Sequence, residues 1–405
     1  MDLERHRQKV ARIAAQLRDL RGQGPVSFRK RAVSHEVPKG FDLRRRDEKI
    51  DVSDLDEILE IDPSRRICVA EPGVAFDDLV AATLRHGLVP VVVPELKTIT
   101  IGGAVSGCSL ESTSFRHGGF HDSCLEYELI TGRGEVLTCT PDNEHRLLFE
   151  MLHGAFGTLG VLSRLTFRLM PAQPHVHLTY EKHATLPAYL GSIHRHYQSQ
   201  DADFMDGIIH APDEHVLSIG RFTRDPPYAH RYDWVRAYPE STRSRAEDYL
   251  RTADYFFRYD RGVTRTRPRT FLGRLLFGKL MGSSRVLGLA NRLHWLMRSP
   301  SPTVIVDVFV PFSQAEAFMA WYREALGYFP LWCVPYRVDR PYPWLSDQFV
   351  AAMKDHLYLD IAIYGMKPPP GKNPYRMLEE KLLELGGLKT LISHNFYSEE
   401  EFWRT

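Results

Sequence analysis

Between Thr98 and Arg168 lie two glycine-rich runs joined by a candidate hairpin. The first, TITIGGAVSGCSLESTSFRHGGF, gathers Gly102, Gly103, Ser106, Gly107, Ser109, Ser112, Thr113 and Ser114 into one stretch. Glycines let backbone N–H groups approach a ligand closely, and the hydroxyls add further donors. The second, HGAFGTLGVLSRLTFRL, sets Gly154, Gly157 and Gly160 at three-residue spacing ahead of a strand. Neither run closes with Gly-Lys-Ser/Thr, so neither is a P-loop, and neither is a strict Gly-x-Gly-x-x-Gly fingerprint. A Gly/Ser run taken alone is commonly a surface turn. The order strand, Gly/Ser loop, hairpin, Gly loop, strand is what points to a cradle for a large phosphate-bearing cofactor.

The elements around these loops follow from the apolar pattern. Leu3, Val10, Ile13, Leu17 and Leu20 share one face of a helix that Gly22, Gly24 and Pro25 end. A basic segment follows, Ser27–Lys39. Short strands are expected over Lys49–Val52, Glu57–Ile61 and Ile67–Glu71, a helix over Phe76–His86, and a buried strand over Leu88–Val93. CLEYELITGRGEVLTCTP reads as two strands about a Gly-Arg-Gly turn. Beyond Pro171 two β-α-β-β patterns recur. One runs through His175–Glu181, Leu186–Ser199, Phe204–His210 and Glu214–Arg221; the other through Thr303–Pro311, Ser313–Leu326, Phe329–Val338 and Leu357–Gly365. Side by side they would form an antiparallel sheet with helices on one face. Between them, Gly262 to Thr303 holds eight Arg or Lys and no Asp or Glu, interleaved with Leu, Phe and Trp. A linker, Pro368–Gly371, leads to a helix over Pro374–Leu385.

Composition bounds the rest. A sequence of 405 residues, 43% hydrophobic and 25% charged, suits a soluble protein of two or three domains. A net charge of +1 gives no footprint for nucleic acid. Five cysteines, with no CxxC pair, point to reduced thiols rather than to disulfides or zinc, so no metal is expected. The charged opening MDLERHRQKV lacks the apolar core of a secretory signal, and no apolar run could span a bilayer. A cytoplasmic protein is therefore expected.

TITIGGAVSGCSLESTSFRHG, CLEYELITGRGEVLTCTP and GAFGTLGVLSRLTFRL resemble the flavin domain of the vanillyl-alcohol-oxidase type. VVPELKTITIGGAVSGCSLESTSFRHGGF narrows the likeness to the 24-dehydrocholesterol reductase (Diminuto/Dwarf1) branch. EILEID, AEPGVAFDDLV, PLWCVPYR, LDIAIYG and EEFW extend it over most of the sequence, more loosely between Pro171 and Thr303. The fold class so implied is α+β: a two-part FAD-binding domain (1–172) and an antiparallel-sheet substrate, or cap, domain (173–385) with the basic apolar insertion 262–303. Residues 386–405 are expected to return to the flavin domain. The family's first half is usually longer than this one, and its tail continues further.

The resemblance implies an FAD-dependent oxidoreductase, with FAD bound non-covalently and NADPH as electron donor. The family's substrate is a side-chain alkene of a sterol or related isoprenoid lipid. Thr100, Gly102, Gly103, Ser106, Gly107, Glu111, Ser112, Ser114, His117 and Gly118 would line the pyrophosphate and ring side. Gly157, Thr158, Gly160 and Val161 would contact the other side. Arg29, Lys30 and Arg31 read either as charge for the pyrophosphate or as a solvated loop. Glu111 reads either as a contact to cofactor or substrate or as a satisfied loop carboxylate. His117, His35 and Cys108 are the local candidates for covalent flavin attachment, which the reductase branch usually lacks. Alkene reduction needs a proton donor, for which His394 and Tyr397 in SHNFYS and Tyr259 and Arg258 in YFFRYDR are the candidates, His394 and Tyr259 foremost. Residues 262–297 read either as a peripheral membrane contact that guides a lipid substrate or as ordinary domain packing. Two rival functions stay open: a flavin oxidase of a sugar alcohol or lipid-linked sugar, and a flavin- or lipid-binding protein without turnover.

Overall fold

The computed structural model describes residues 3–31, 46–232, 237–260 and 303–405. The basic segment beyond Arg31, His35 and the insertion up to residue 302 lie outside the described residues. The protein divides into two compact units, one of Met1–Ser109, Gly119–Ala172 and Tyr342–Trp344, the other of Leu110–Gly118, Gln173–Pro341 and Leu345–Thr405. Among the described residues no helix is long and apolar enough to cross a membrane.

The first unit begins with helix α1 (Leu3–Asp19), which buries His6, Lys9, Val10, Ile13, Ala14 and Leu17 on one face. Its apolar members pack on Ile50, Leu55, Ile130 and Val161. Strand β1 (Val26–Arg29) pairs in parallel with β2 (Glu48–Asp51). The start of the basic segment is thus a strand and not a loop, because β2 supplies a ladder that no local pattern announces. Strands β3 (Ile58–Asp62), β4 (Ile67–Ala70), β8 (Val161–Pro171), β6 (Cys124–Ile130) and β7 (Val136–Cys139) lie in that order as an antiparallel sheet, and β5 (Leu88–Pro90) pairs with the end of β8. The expected strand Leu88–Val93 pairs only as far as Pro90, since Pro90 and Pro94 offer no N–H to a ladder. Val91–Val93 stay buried without it. Helix α2 (Phe76–Leu84) brings Phe76 edge-on to Phe120, at 5.2 Å between ring centroids, and Phe120 meets Phe167 of β8 at 5.3 Å.

In the second unit both β-α-β-β patterns are present. One comprises β9 (His175–His183), the helix Leu186–Ser199, β10 (Phe204–Ala211) and β11 (Glu214–Thr223). The other comprises β13 (Val304–Pro311), the helix Ala315–Ala325, β14 (Leu331–Arg337) and β15 (Leu357–Met366). With β12 (Glu247–Arg251) and β16 (Leu388–Lys389) they form one sheet in the order β12-β9-β11-β10-β14-β15-β13-β16. The halves join through the matching strands β10 and β14, where Ile208 faces Trp332. Alternate residues, among them Met205, Leu217, Val306, Leu331 and Ile361, point to a core roofed by Tyr189, Phe318, Tyr322 and Leu382 of the helices. Residues 110–118 contribute Phe115 to this core, and the tail adds β16 to the sheet edge. The architecture is α+β.

Phe120 links Phe76 of α2 to Phe167 of β8 and has no exposed surface. Phe120→Ala should destabilise the apoprotein by about 3–5 kcal/mol. Denaturant unfolding followed by far-UV circular dichroism measures this, and a change below about 1 kcal/mol would show that the cluster is not central to the unit.

Candidate functional site

In the first unit the glycine runs come together. Residues expected to form a loop make helix α3 (Ile101–Ser106), because the Thr100 hydroxyl caps it by accepting the Gly103 N–H at 3.3 Å. The start of α3 is held by the Pro72 carbonyl, which accepts the Gly102 N–H at 2.9 Å. A Cβ on Gly102 would lie 2.6 Å from Pro72 Cβ, so this glycine is required by packing. Gly103 differs. It is exposed, and a Cβ there would meet only Thr100 Oγ1, at 3.3 Å.

The second run docks on the far end of α3. Gly154 N–H donates to the Val105 carbonyl at 3.1 Å and Phe156 N–H to the Ser106 carbonyl at 3.3 Å. The Gly107 N–H returns to Gly103 at 2.9 Å. Gly154, Phe156, Gly157 and Gly160 all have positive φ, at 76°, 50°, 78° and 150°. For Phe156 that conformation costs about 1–2 kcal/mol. A Cβ on Gly157 would lie 2.8 Å from the Phe28 ring of β1, and one on Gly160 would lie 2.5 Å from the Ile130 carbonyl. Thr158 is exposed and turns its hydroxyl back to Ala155 at 2.7 Å, while Val161 is buried at the start of β8. Three distant segments therefore converge: β1, α3 and the turn 154–160. Consecutive left-handed residues aim backbone N–H groups to one side and form a concavity suited to an anion. Phe28 and Phe156, each 38% exposed, offer ring faces beside it. A glycine-lined turn with backbone donors, flat apolar faces and an open Gly103 fits a dinucleotide cofactor such as FAD.

Glu111, Ser112, Ser114, His117 and Gly118 lie in the second unit. There Arg258 is fully buried with Nη2 2.9 Å from Asp206 Oδ1 and 3.2 Å from Glu111 Oε1, the latter without hydrogen-bonding geometry. Asp206 Oδ2 accepts the Tyr259 hydroxyl at 2.6 Å and the Trp332 indole N–H at 3.0 Å. The guanidinium lies over the rings of Tyr255 and Tyr259, at 4.1 and 4.7 Å. Ser112 donates to Glu111 Oε2 and meets the Tyr255 hydroxyl at 2.9 Å; Ser114 Oγ accepts the Glu111 N–H at 2.9 Å. These hydroxyls are thus engaged within the unit. Burial pushes the Glu111 carboxyl up; Arg258 opposes this and Asp206 reinforces it. Burial and Asp206 hold the Tyr259 phenol well above its ordinary range. His117 is pushed down to about 4 by burial, then by Arg116 and Arg337, so its imidazole is neutral at pH 7. Gly118, at φ 73°, ends the turn that carries it. Cys108, at φ 52°, packs its sulfur where a Gly154 Cβ would come within 3.3 Å.

Tyr259 and Arg258 are therefore brought together, and His394 is not with them. His394 accepts from Lys389 through its carbonyl and packs on Tyr375 at 5.3 Å, near β16. Three strand spacings, about 14 Å, separate β16 from β14 in the sheet order. Sequence reasoning missed Asp206, Trp332 and Tyr255. Asp206 was detectable as a lone carboxylate in the apolar strand FMDGIIHA. Among the described residues no group of three or more His, Cys, Asp or Glu is placed to hold a metal ion.

Comparison with known proteins points to the same cofactor. An FAD binding domain family matches residues 8–140. The Delta(24)-sterol reductase of Homo sapiens is 26% identical over 98% of this sequence and 81% of its own length. That of Arabidopsis thaliana is 23% identical over 89% of this sequence and 72% of its own. Cytokinin dehydrogenase 6 of rice is 39% identical over 24% of this sequence and 19% of its own. The protein is an FAD-dependent oxidoreductase, and it resembles the Δ24-sterol-reductase branch of the vanillyl-alcohol-oxidase type. Its fold class is the two-domain α+β arrangement of that type.

In this flavoenzyme Gly103→Val and Gly157→Val should separate binding from folding. Gly103 is open, so Val there should change apoprotein stability by less than about 1 kcal/mol and still abolish flavin binding. Val at Gly157 meets Phe28 and a positive φ, so both stability and flavin should be lost. Flavin absorbance per protein and apoprotein melting measure the two effects. Full occupancy in Gly103→Val would remove α3 from the cofactor site.

Proposed function

We propose that this flavoenzyme reduces an alkene in the side chain of a sterol or related isoprenoid lipid, with NADPH as hydride donor and FAD bound non-covalently. Residues 1–172 would hold the flavin and 173–385 the substrate. The observation that carries the reading is the buried set Tyr259, Asp206, Arg258 and Glu111. Reducing an isolated alkene requires a proton on the second carbon, whereas oxidation of an alcohol requires a base. The set holds its acidic hydrogens: the phenol and the Glu111 carboxyl are both shifted towards their protonated forms. Likeness to sterol reductases over 98% of the sequence supports the substrate class.

FAD, when bound, would accept a hydride and pass it on from its N5 position. The protein's own groups do the rest. The N–H groups of Gly157 and Gly160, with the Thr100 and Ser106 hydroxyls and the open backbone at Gly103, would receive the pyrophosphate. Tyr259 would give its hydroxyl proton to the substrate carbon. Asp206 fixes that hydroxyl through its 2.6 Å bond, and Arg258, 4.7 Å from the ring centroid, would stabilise the phenolate left behind.

Anaerobic mixing tests the reading. NADPH should bleach the flavin, and a side-chain-unsaturated sterol should restore the colour. An enzyme bleached only by an alcohol is an oxidase, and one bleached by neither donor is a binding protein. Acid precipitation of the same preparation should release the flavin to the supernatant. Tyr259→Phe should slow reoxidation by the sterol at least about a hundredfold and leave reduction by NADPH within about twofold. Equal loss in both half-reactions would deny Tyr259 the role of acid.

Residues 262–297 would give the protein a peripheral membrane contact from the cytoplasmic side, since each Lys or Arg near anionic lipid contributes about 1 kcal/mol. Sedimentation with anionic vesicles should show salt-sensitive binding that disappears when Arg274, Lys279 and Arg285 become Glu. Absence of binding to anionic and neutral vesicles alike would leave the segment as domain packing.

A further inference from the structure

One cluster of ionisable groups in the first unit plays no part in the chemistry above. Glu71 has no exposed surface. Its Oε1 accepts from His6 Nδ1 at 2.8 Å and Lys9 Nζ at 3.1 Å; its Oε2 accepts from Lys9 Nζ at 2.8 Å and the Glu57 N–H at 2.9 Å. The other nitrogen of His6 meets Glu128 Oε1 of β6 at 2.9 Å. Glu128 also accepts from Ser163 Oγ at 2.7 Å and lies 3.7 Å from Arg164 of β8. Glu57 lies 3.1 Å from Lys9 and 3.0 Å from Arg5 of α1. A buried carboxylate stripped of its cations would have to take up a proton or leave the interior.

The residues directly after Glu71 give the cluster its meaning. The next residue, Pro72, is the one whose carbonyl accepts the Gly102 N–H and whose ring closes on Gly102. Gly73 N–H donates to the Leu55 carbonyl at 2.7 Å, and Val74 O accepts the Ile101 N–H at 3.0 Å. One covalent step thus leads from the clamped carboxylate to the turn on which α3 rests.

We infer that His6 and Lys9 of α1 are positioning residues for the flavin, holding Glu71 so that the Pro72–Val74 turn presents α3 to the cofactor. The inference rests on the assignment of α3 to the flavin site. It gives the amino-terminal helix a function beyond filling the core, and it makes cofactor retention depend on pH. Burial alone would discharge His6, but the hydrogen bonds to Glu128 and Glu71 outweigh it and push the imidazole up to about 9. A histidine raised from its ordinary 6.5 contributes fully below that value and ceases to contribute as pH rises through about 9. Lys9 is also raised, and Glu71 is lowered because its partners outweigh its burial.

The test is flavin release from the purified holoprotein, followed by flavin fluorescence between pH 7 and 10.5 with circular dichroism as a check on folding. Wild type should lose affinity in a step near pH 9 while still folded. His6→Gln should bind flavin about tenfold more weakly at pH 7 and show no step, the loss expected from one charge-assisted hydrogen bond. Lys9→Met should weaken binding further, and Lys9→Arg should restore it. A folded wild type with flat affinity from pH 8 to 10, or a His6→Gln protein with unchanged affinity and an unchanged step, overturns the inference. Should Gly103→Val keep its flavin, the site assignment itself fails. Should Gly103→Val lose flavin while His6→Gln does not, the positioning role alone fails.

Discussion

Moving a carboxylate out of water costs several kcal/mol unless a cation goes with it. Among the described residues that constraint recurs at three places where distant segments meet. Glu71 is met by His6 and Lys9, Asp206 by Arg258, and Glu379 by Lys389 at 2.7 Å. Every one of these partners is buried. Because removing one partner strands the other, each set has a single satisfactory arrangement. The first seats α1 against the sheet of the first unit. The second ties Arg258, in the turn after the short helix Thr252–Phe256, to strand β10. The third anchors the tail, for Glu379 also accepts the Phe396 N–H at 2.9 Å. Apolar burial makes these units stable; the ion sets link segments that are distant in sequence.

The same logic explains why glycine is needed in some places and only convenient in others. Gly102, Gly157 and Gly160 each sit where a Cβ would strike Pro72, Phe28 or the Ile130 carbonyl. They are demanded by the protein whether or not a cofactor is bound. Gly103 is demanded by none of its neighbours. A glycine that packing does not require points to a ligand more cleanly than one that it does, although the sequence shows both as the same letter.

Much of the fold could be read from periodicity. The helix Leu3–Asp19 and both β-α-β-β patterns emerged because their apolar residues recur at helix or strand spacing. What escaped was set by partners remote in sequence. β1 is a strand only because β2 lies beside it, and β12 only because β9 does. Residues 100–106 looked like a loop because their glycines disfavour helix; the Thr100 cap overrides that preference. The candidate site was half legible. Glycine spacing announced the cradle, and Arg258 and Tyr259 stood out by resemblance. Asp206, which gathers them, needed the strand register before its importance could be seen. His6 was hidden in plain view: the apolar face Leu3, Val10, Ile13, Leu17 skips one turn, and the histidine fills it.

The meeting of β10 with β14 has a consequence for the origin of the second unit. Each β-α-β-β half, taken alone, would present that strand as a bare edge with unpaired N–H and C=O groups, the kind of edge that recruits another polypeptide. Because the two strands are equivalent members of similar halves, the edges are self-complementary, as in an isologous contact between identical subunits. The sheet is in this sense a homodimer folded into one polypeptide. One covalent chain need not keep its halves alike: Asp206 stands on one of the joined strands, Trp332 on the other supplies the N–H that Asp206 accepts, and a symmetric pair of subunits would make that combination twice.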